Sequence, residues 1–92
     1  MTDNLTKAFA AAGRLAATLY DRGAAPTAII DVLVTEHGLA AGELQFVFMA
    51  GFGLSFSDAR WATDWWPDGS FDLPRERVDA ELRAAIERRR AR

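Results

Sequence analysis

Ala40-Ala41-Gly42-Glu43-Leu44-Gln45-Phe46-Val47-Phe48-Met49-Ala50-Gly51 is the stretch on which the fold class turns. Leu44, Val47, Phe48 and Phe52 recur at helical spacing, whereas Leu44, Phe46 and Phe48 alternate as they would in a strand. The lead-in Ala40-Ala41-Gly42-Glu43 favours helix, and no second strand joined by a hairpin turn lies nearby. The stretch therefore reads as a helix, broken by Gly51 and Gly53.

Upstream, Leu5, Phe9, Ala12, Ala16, Leu19 and Tyr20 fall three and four apart, which predicts an amphipathic helix over residues 4–22 closed by Gly23. Pro26 suits the first turn of a second helix running to about His37, with Gly38 ending it. Ala28, Ile29, Ile30, Val32, Leu33 and Val34 cover more than one face of that helix, so it belongs near the centre of the fold. Downstream, Ser55-Phe56-Ser57-Asp58 resembles a capping box, predicting a fourth helix from about Phe56 to Trp66. Trp66-Pro67-Asp68-Gly69 makes a turn, and Asp72-Leu73-Pro74 opens a fifth helix with the narrow apolar stripe Val78, Leu82, Ala85 and Ile86. Arg77–Glu81, Asp79–Arg83 and Arg83–Glu87 are opposite charges four apart on that helix. The expectation is all-α: a compact single-domain bundle of about five short helices spanning residues 1–92, with antiparallel neighbours.

The 92 residues suit one domain, and half of them are hydrophobic, enough for a core. The chain has no cysteine and one histidine, which excludes a disulfide framework, thiolate metal sites and a multi-histidine centre within one chain. No basic start followed by a continuous apolar run marks a secretory signal, and no apolar run approaches a membrane span. The expectation is a cytoplasmic protein without membrane association. Ten arginines against one lysine, with 18 alanines, associate the composition with a GC-rich bacterial genome.

Net charge is -2, but it is unevenly distributed. Residues 1–22 carry +1, residues 23–73 carry -6 and residues 74–92 carry +3. Eight of the ten aromatic residues also lie between positions 46 and 71, inside the acidic segment. Phe56, Ala59, Ala62, Thr63 and Trp66 make one helical face; Trp61 and Trp65 make a second. Both cannot easily enter one small core, and large exposed apolar patches mark interaction sites. Tryptophan is a favoured interface anchor, because it joins a large apolar area to a polar handle. Phe46, Phe48, Asp58, Arg60, Trp61, Asp64 and Trp65 are accordingly the candidate partner-binding residues. The alternative is that the same aromatics are core.

Catalytic chemistry finds little support. His37 is the sole histidine base, beside Gly38 at a predicted helix end, where an imidazolium simply complements the helix dipole. No nucleophile-elbow pattern surrounds Ser55, Ser57 or Ser70. The acids of the middle segment could supply a glycosidase pair, but sequence spacing cannot establish the required separation. With Gly69 as the loop glycine of a calcium-binding loop, Asp64, Asp68 and Asp72 would fall on ligand positions. Trp66 then takes the third position and Arg75 replaces the closing bidentate acid, so a solvated turn is the better reading. Gly51-Phe52-Gly53 lacks the pattern of a phosphate loop. No catalytic residue, cofactor or metal is expected.

Gly53-Leu54-Ser55-Phe56-Ser57-Asp58-Ala59-Arg60 resembles the Gly-Leu-x-Leu-x-Glu-Ala-Lys element of the ribosomal stalk protein C-terminal domain. In that family the element opens a helix within a protein-binding module. The resemblance covers about eight residues and departs at Phe56, Asp58 and Arg60. The family's strands have no counterpart in this chain, so neither fold nor function is carried over.

Three functional expectations follow. The first is a small non-enzymatic protein–protein interaction module, such as an immunity or inhibitor protein that binds a basic partner through an acidic aromatic surface. The second is a nucleic-acid-associated regulator using Arg88, Arg89, Arg90 and Arg92. It is weakened by the second and third helices, whose helix-turn-helix outline offers no Lys or Arg for base reading. The third is a helical homo-oligomer, in its simplest form a homodimer, that buries its excess apolar residues by self-association.

Overall fold

Helix propensity and apolar spacing set five helices, and a computed structural model describes residues 2–70 and 73–91, with the backbone alone over residues 2–8. They are α1 (Thr2–Asp21), α2 (Pro26–Thr35), α3 (Ala41–Phe52), α4 (Phe56–Ala59) and α5 (Arg75–Arg90). A 3₁₀ turn, Arg60–Thr63, continues directly from α4. The described residues contain no strand, so the alternation of Leu44, Phe46 and Phe48 is incidental and the chain is an all-α single domain. The Cα radius of gyration is 12.1 Å, about that of a compact chain of this length.

The core is built where the apolar stripes meet. Ile29, Ile30 and Leu33 of α2, Leu44, Val47 and Phe48 of α3, and Val78, Leu82 and Ile86 of α5 are fully buried. α2 is buried on several sides, as its broad apolar surface implies. Its first turn has no capping side chain of its own. Asp79 of α5 supplies one from 52 residues away: its carboxylate accepts the Thr27 N–H at 2.7 Å and the Thr27 hydroxyl at 3.1 Å. A carboxylate is favoured there by the unsatisfied N–H groups and the helix dipole.

Gly51 does not break α3, contrary to the sequence expectation; it lies within the helix, which ends at Phe52. Its small size serves the crossing with α1. A Cβ placed on Gly13 would stand 2.7 Å from the Gly51 nitrogen, and one on Gly51 would meet the Gly13 carbonyl closer still. The two backbones touch with no side chain between them. Gly53 is the true stop, with φ +68 and its N–H bonded to the Met49 carbonyl.

The fourth helix is also shorter than its spacing predicts. Ser55 Oγ accepts the Asp58 N–H at 3.1 Å and starts the helix, as the capping pattern requires. After one turn it tightens into the 3₁₀ turn and stops at Thr63, before Trp65 and Trp66. The Trp66–Gly69 turn closes through a Gly69 N–H bond to the Trp66 carbonyl at 3.0 Å. Asp72, expected to open the fifth helix, lies outside the described residues, as do Phe71 and Arg92.

Candidate functional site

The early end of the helical turn separates the two tryptophans that a longer helix would have placed together. Trp65 is only 9% exposed and belongs to the core; Trp61 is half-buried. Phe48 is fully buried. Phe48 and Trp65 are therefore corrected from candidate contact residues to packing residues. Phe46 is 47% exposed, and its ring stacks on Phe9 of α1 at 5.6 Å. Phe56, which helical spacing puts on one face with Ala59 and Ala62, is 58% exposed while those two are fully buried. It is the first residue of a four-residue helix, so no preceding turn covers its ring. The Ser55 capping signal marked that position in sequence. Gln45 donates to the Phe56 carbonyl at 2.9 Å, which ties the start of α4 to α3.

Arg60, Trp61 and Asp64 do come together. With Ser57 and Leu73 they line an open groove of about 290 Å³. Arg77 of α5 rests its guanidinium 5.4 Å from the Trp61 ring centre, and Arg75 lies 5.0 Å from that of Trp65. Asp58 stands apart from this groove. It faces Arg88 at 3.7 Å across a second groove of about 400 Å³, between α4 and the end of α5, floored by Leu54 and Ala85.

The charge division of the sequence is thus partly folded against itself. The arginines of α5 lie over the tryptophans and one acid of the acidic segment. Arg88, Arg89 and Arg90 are engaged within the chain. Arg89 Nε donates to the Gly53 carbonyl at 2.9 Å. Arg90 pairs with Asp21 at 2.7 Å and lies 5.1 Å from the Tyr20 ring and 5.9 Å from that of Phe52. Of the three helix-internal ion pairs expected on α5, Arg77–Glu81 forms at 3.5 Å. Asp79 instead caps α2, and Glu87 accepts the Tyr20 hydroxyl at 2.6 Å. Partial burial and then that bond to Glu87 raise the Tyr20 pKa above its ordinary value. Hydrogen bonding to Ser70, whose N–H donates at 2.9 Å, holds the Asp68 carboxyl below its usual range, a turn property at an exposed position.

His37 is exposed in the turn after α2, and Ser55 Oγ is occupied as a cap. Among the described residues no group of three or more His, Cys, Asp or Glu side chains is placed to hold a metal ion. No helix among them is long and apolar enough to cross a membrane. Comparison with protein-family models, curated proteins and solved structures finds no match to the chain. Fold and surface together define a small all-α domain whose most distinctive exposed feature is the α4 region with its adjoining groove.

Proposed function

We propose that the chain is a small non-enzymatic protein–protein interaction module that docks a partner on the α4 region. The observation that carries this is the exposure of Phe46 and Phe56, at 47% and 58%, in an otherwise well-buried apolar set. Exposed aromatics, with Trp61 half-buried in a groove of its own, are the kind of anchor from which interfaces draw most of their binding energy. Arg60 and Asp64 in that groove supply charges that orient a partner. An immunity or inhibitor protein is one form of such a module. Nucleic-acid binding through the last helix is the weaker reading, because Arg88, Arg89 and Arg90 already face groups of their own chain.

Affinity capture from the native host, with Phe56→Ser and Trp61→Ala as paired variants, tests the proposal. Both should keep the helical circular-dichroism spectrum and cooperative melting, and both should retain the partner at least about tenfold more weakly, the loss expected for an interface anchor. Undiminished capture by both folded variants would remove this surface. Light scattering on the pure protein tests the homodimer alternative. A stable dimer that dissociates on Phe56→Ser would replace the partner with a second copy.

A further inference from the structure

The last turn of α5 is held differently from the rest of the helix. Ile86 is the last buried apolar residue of α5; Glu87, Arg88, Arg89 and Arg90 are all exposed, so no core packing fixes them. Each of the four nonetheless reaches another part of the chain. Glu87 accepts the Tyr20 hydroxyl, and Arg90 pairs with Asp21 while its guanidinium lies over the Tyr20 and Phe52 rings. Arg88 faces Asp58, and Arg89 donates to the Gly53 carbonyl. Among the described residues, the two ion pairs that join separate elements, Arg88–Asp58 and Arg90–Asp21, both stand on this one turn; Arg77–Glu81 lies within α5. All four side chains of those two pairs are at least 42% exposed.

Contacts of this kind are weak singly and are screened by salt. The burial of Val78, Leu82 and Ile86, which anchors the preceding turns, is not screened. A helix also opens most readily at its last turn, where the final carbonyl groups have no partner within the helix. What lies beneath this turn is apolar: Phe52 is only 6% exposed and packs against Tyr20. We propose that Glu87–Arg90 is a charge-held latch that opens without the rest of α5, and that its opening uncovers the Tyr20–Phe52 edge. Ionic strength sets its position, since screening weakens the two ion pairs and leaves the buried stripe of α5 in place. The latch is separate from the docking surface proposed above and does not depend on it.

Tyr20 is the only tyrosine, so ring-labelled tyrosine in the full chain gives an NMR signal for this site alone. Its broadening by a neutral, soluble gadolinium chelate measures how far the ring is uncovered. Sodium chloride is raised from about 0.01 M to about 1 M, which shortens the screening length from about 30 Å to about 3 Å. Broadening of Tyr20 and amide exchange at Arg89 and Arg90 should both rise about two- to fivefold, the size of effect expected from weakened surface ion pairs. Exchange at the buried Leu33 and Val47 should stay constant. Arg90→Gln should show the raised values already at low salt and respond little to more. Arg83→Gln removes the same charge from α5 without touching the latch and should behave as the wild type. Tyr20 broadening that ignores salt, or that rises only together with exchange at Leu33 and Val47, would overturn the proposal. So would an Arg90→Gln protein indistinguishable from Arg83→Gln. The salt series on the wild type decides the matter even if Arg90→Gln fails to fold.

Discussion

The α1–α3 crossing and the α4-to-α5 connection solve the same packing problem in opposite ways. At the crossing, Gly13 and Gly51 remove side chains so that two backbones meet. Along the connection, Trp61 and Trp65 supply large side chains, and arginines of α5 cover them. The first contact has no slack, because neither backbone can move aside cheaply. The second divides its labour: one tryptophan is buried and the other is left half-open in a groove. Open surface is found where side chains, rather than backbones, hold the fold together.

The sharpest way to break this contrast is at the tryptophans. Trp65→Ala should destabilise the protein by about 3–5 kcal/mol, as for a buried aromatic truncated in a core. Trp61→Ala should lose no more than about 1 kcal/mol, because its ring is half-solvated and its cation–π contact is near the surface. Urea denaturation of both variants measures the difference. Equal losses would mean that the groove residue is as structural as its neighbour.

Next comes the crossing. Gly51→Ala should lose about 1–3 kcal/mol through overpacking against the Gly13 backbone, despite a gain in helix propensity of about 1 kcal/mol. Gly42, also in α3 but with open space around it, provides the control. Gly42→Ala should be neutral or stabilising. A stabilised Gly51→Ala protein would show that the two helices can separate freely.

The smallest effect concerns pH, at the end of the same α1–α3 pair, where Tyr20 packs edge-on against Phe52 at 5.5 Å. Tyr20 has a raised pKa in the fold, so the neutral phenol is the favoured form. Its contribution to stability is complete below the unfolded-chain value of about 10 and is lost as pH rises through the higher folded value. It is the only tyrosine, so its ultraviolet absorbance titration reports on this site alone. The midpoint should lie above that of the unfolded chain. Tyr20→Phe should flatten the part of the stability loss near pH 10 that arises from this group.

Helix type and order were legible in the sequence, because apolar spacing and caps are local signals. Gly38, Gly53 and Ser55 act where local chemistry places them. Gly51 was misread because its purpose is set by Gly13, a residue no local pattern pairs with it. Trp65 was misassigned for a related reason. Spacing of four implies a shared face only if the helix continues, and this one tightens and ends at Thr63. For the candidate site, Arg60, Trp61 and Asp64 were singled out by residue type alone and share one groove, whereas the exposed Phe56 was not singled out. Arg89 and Arg90 looked free because their partners lie far away in the chain. Arg89 reaches 36 residues back and Arg90 reaches 69.

That last separation sets a timetable for biosynthesis. At ordinary elongation rates, Arg90 leaves the peptidyl-transferase centre roughly 3–14 s after Asp21, with Glu87, the partner of Tyr20, only shortly before it. The end of the α1–α3 interface around Tyr20 and Phe52 is thus closed by groups made late, because Glu87 and Arg90 both stand on α5. Until α5 docks, no carboxylate or guanidinium of its last turns covers this aromatic edge.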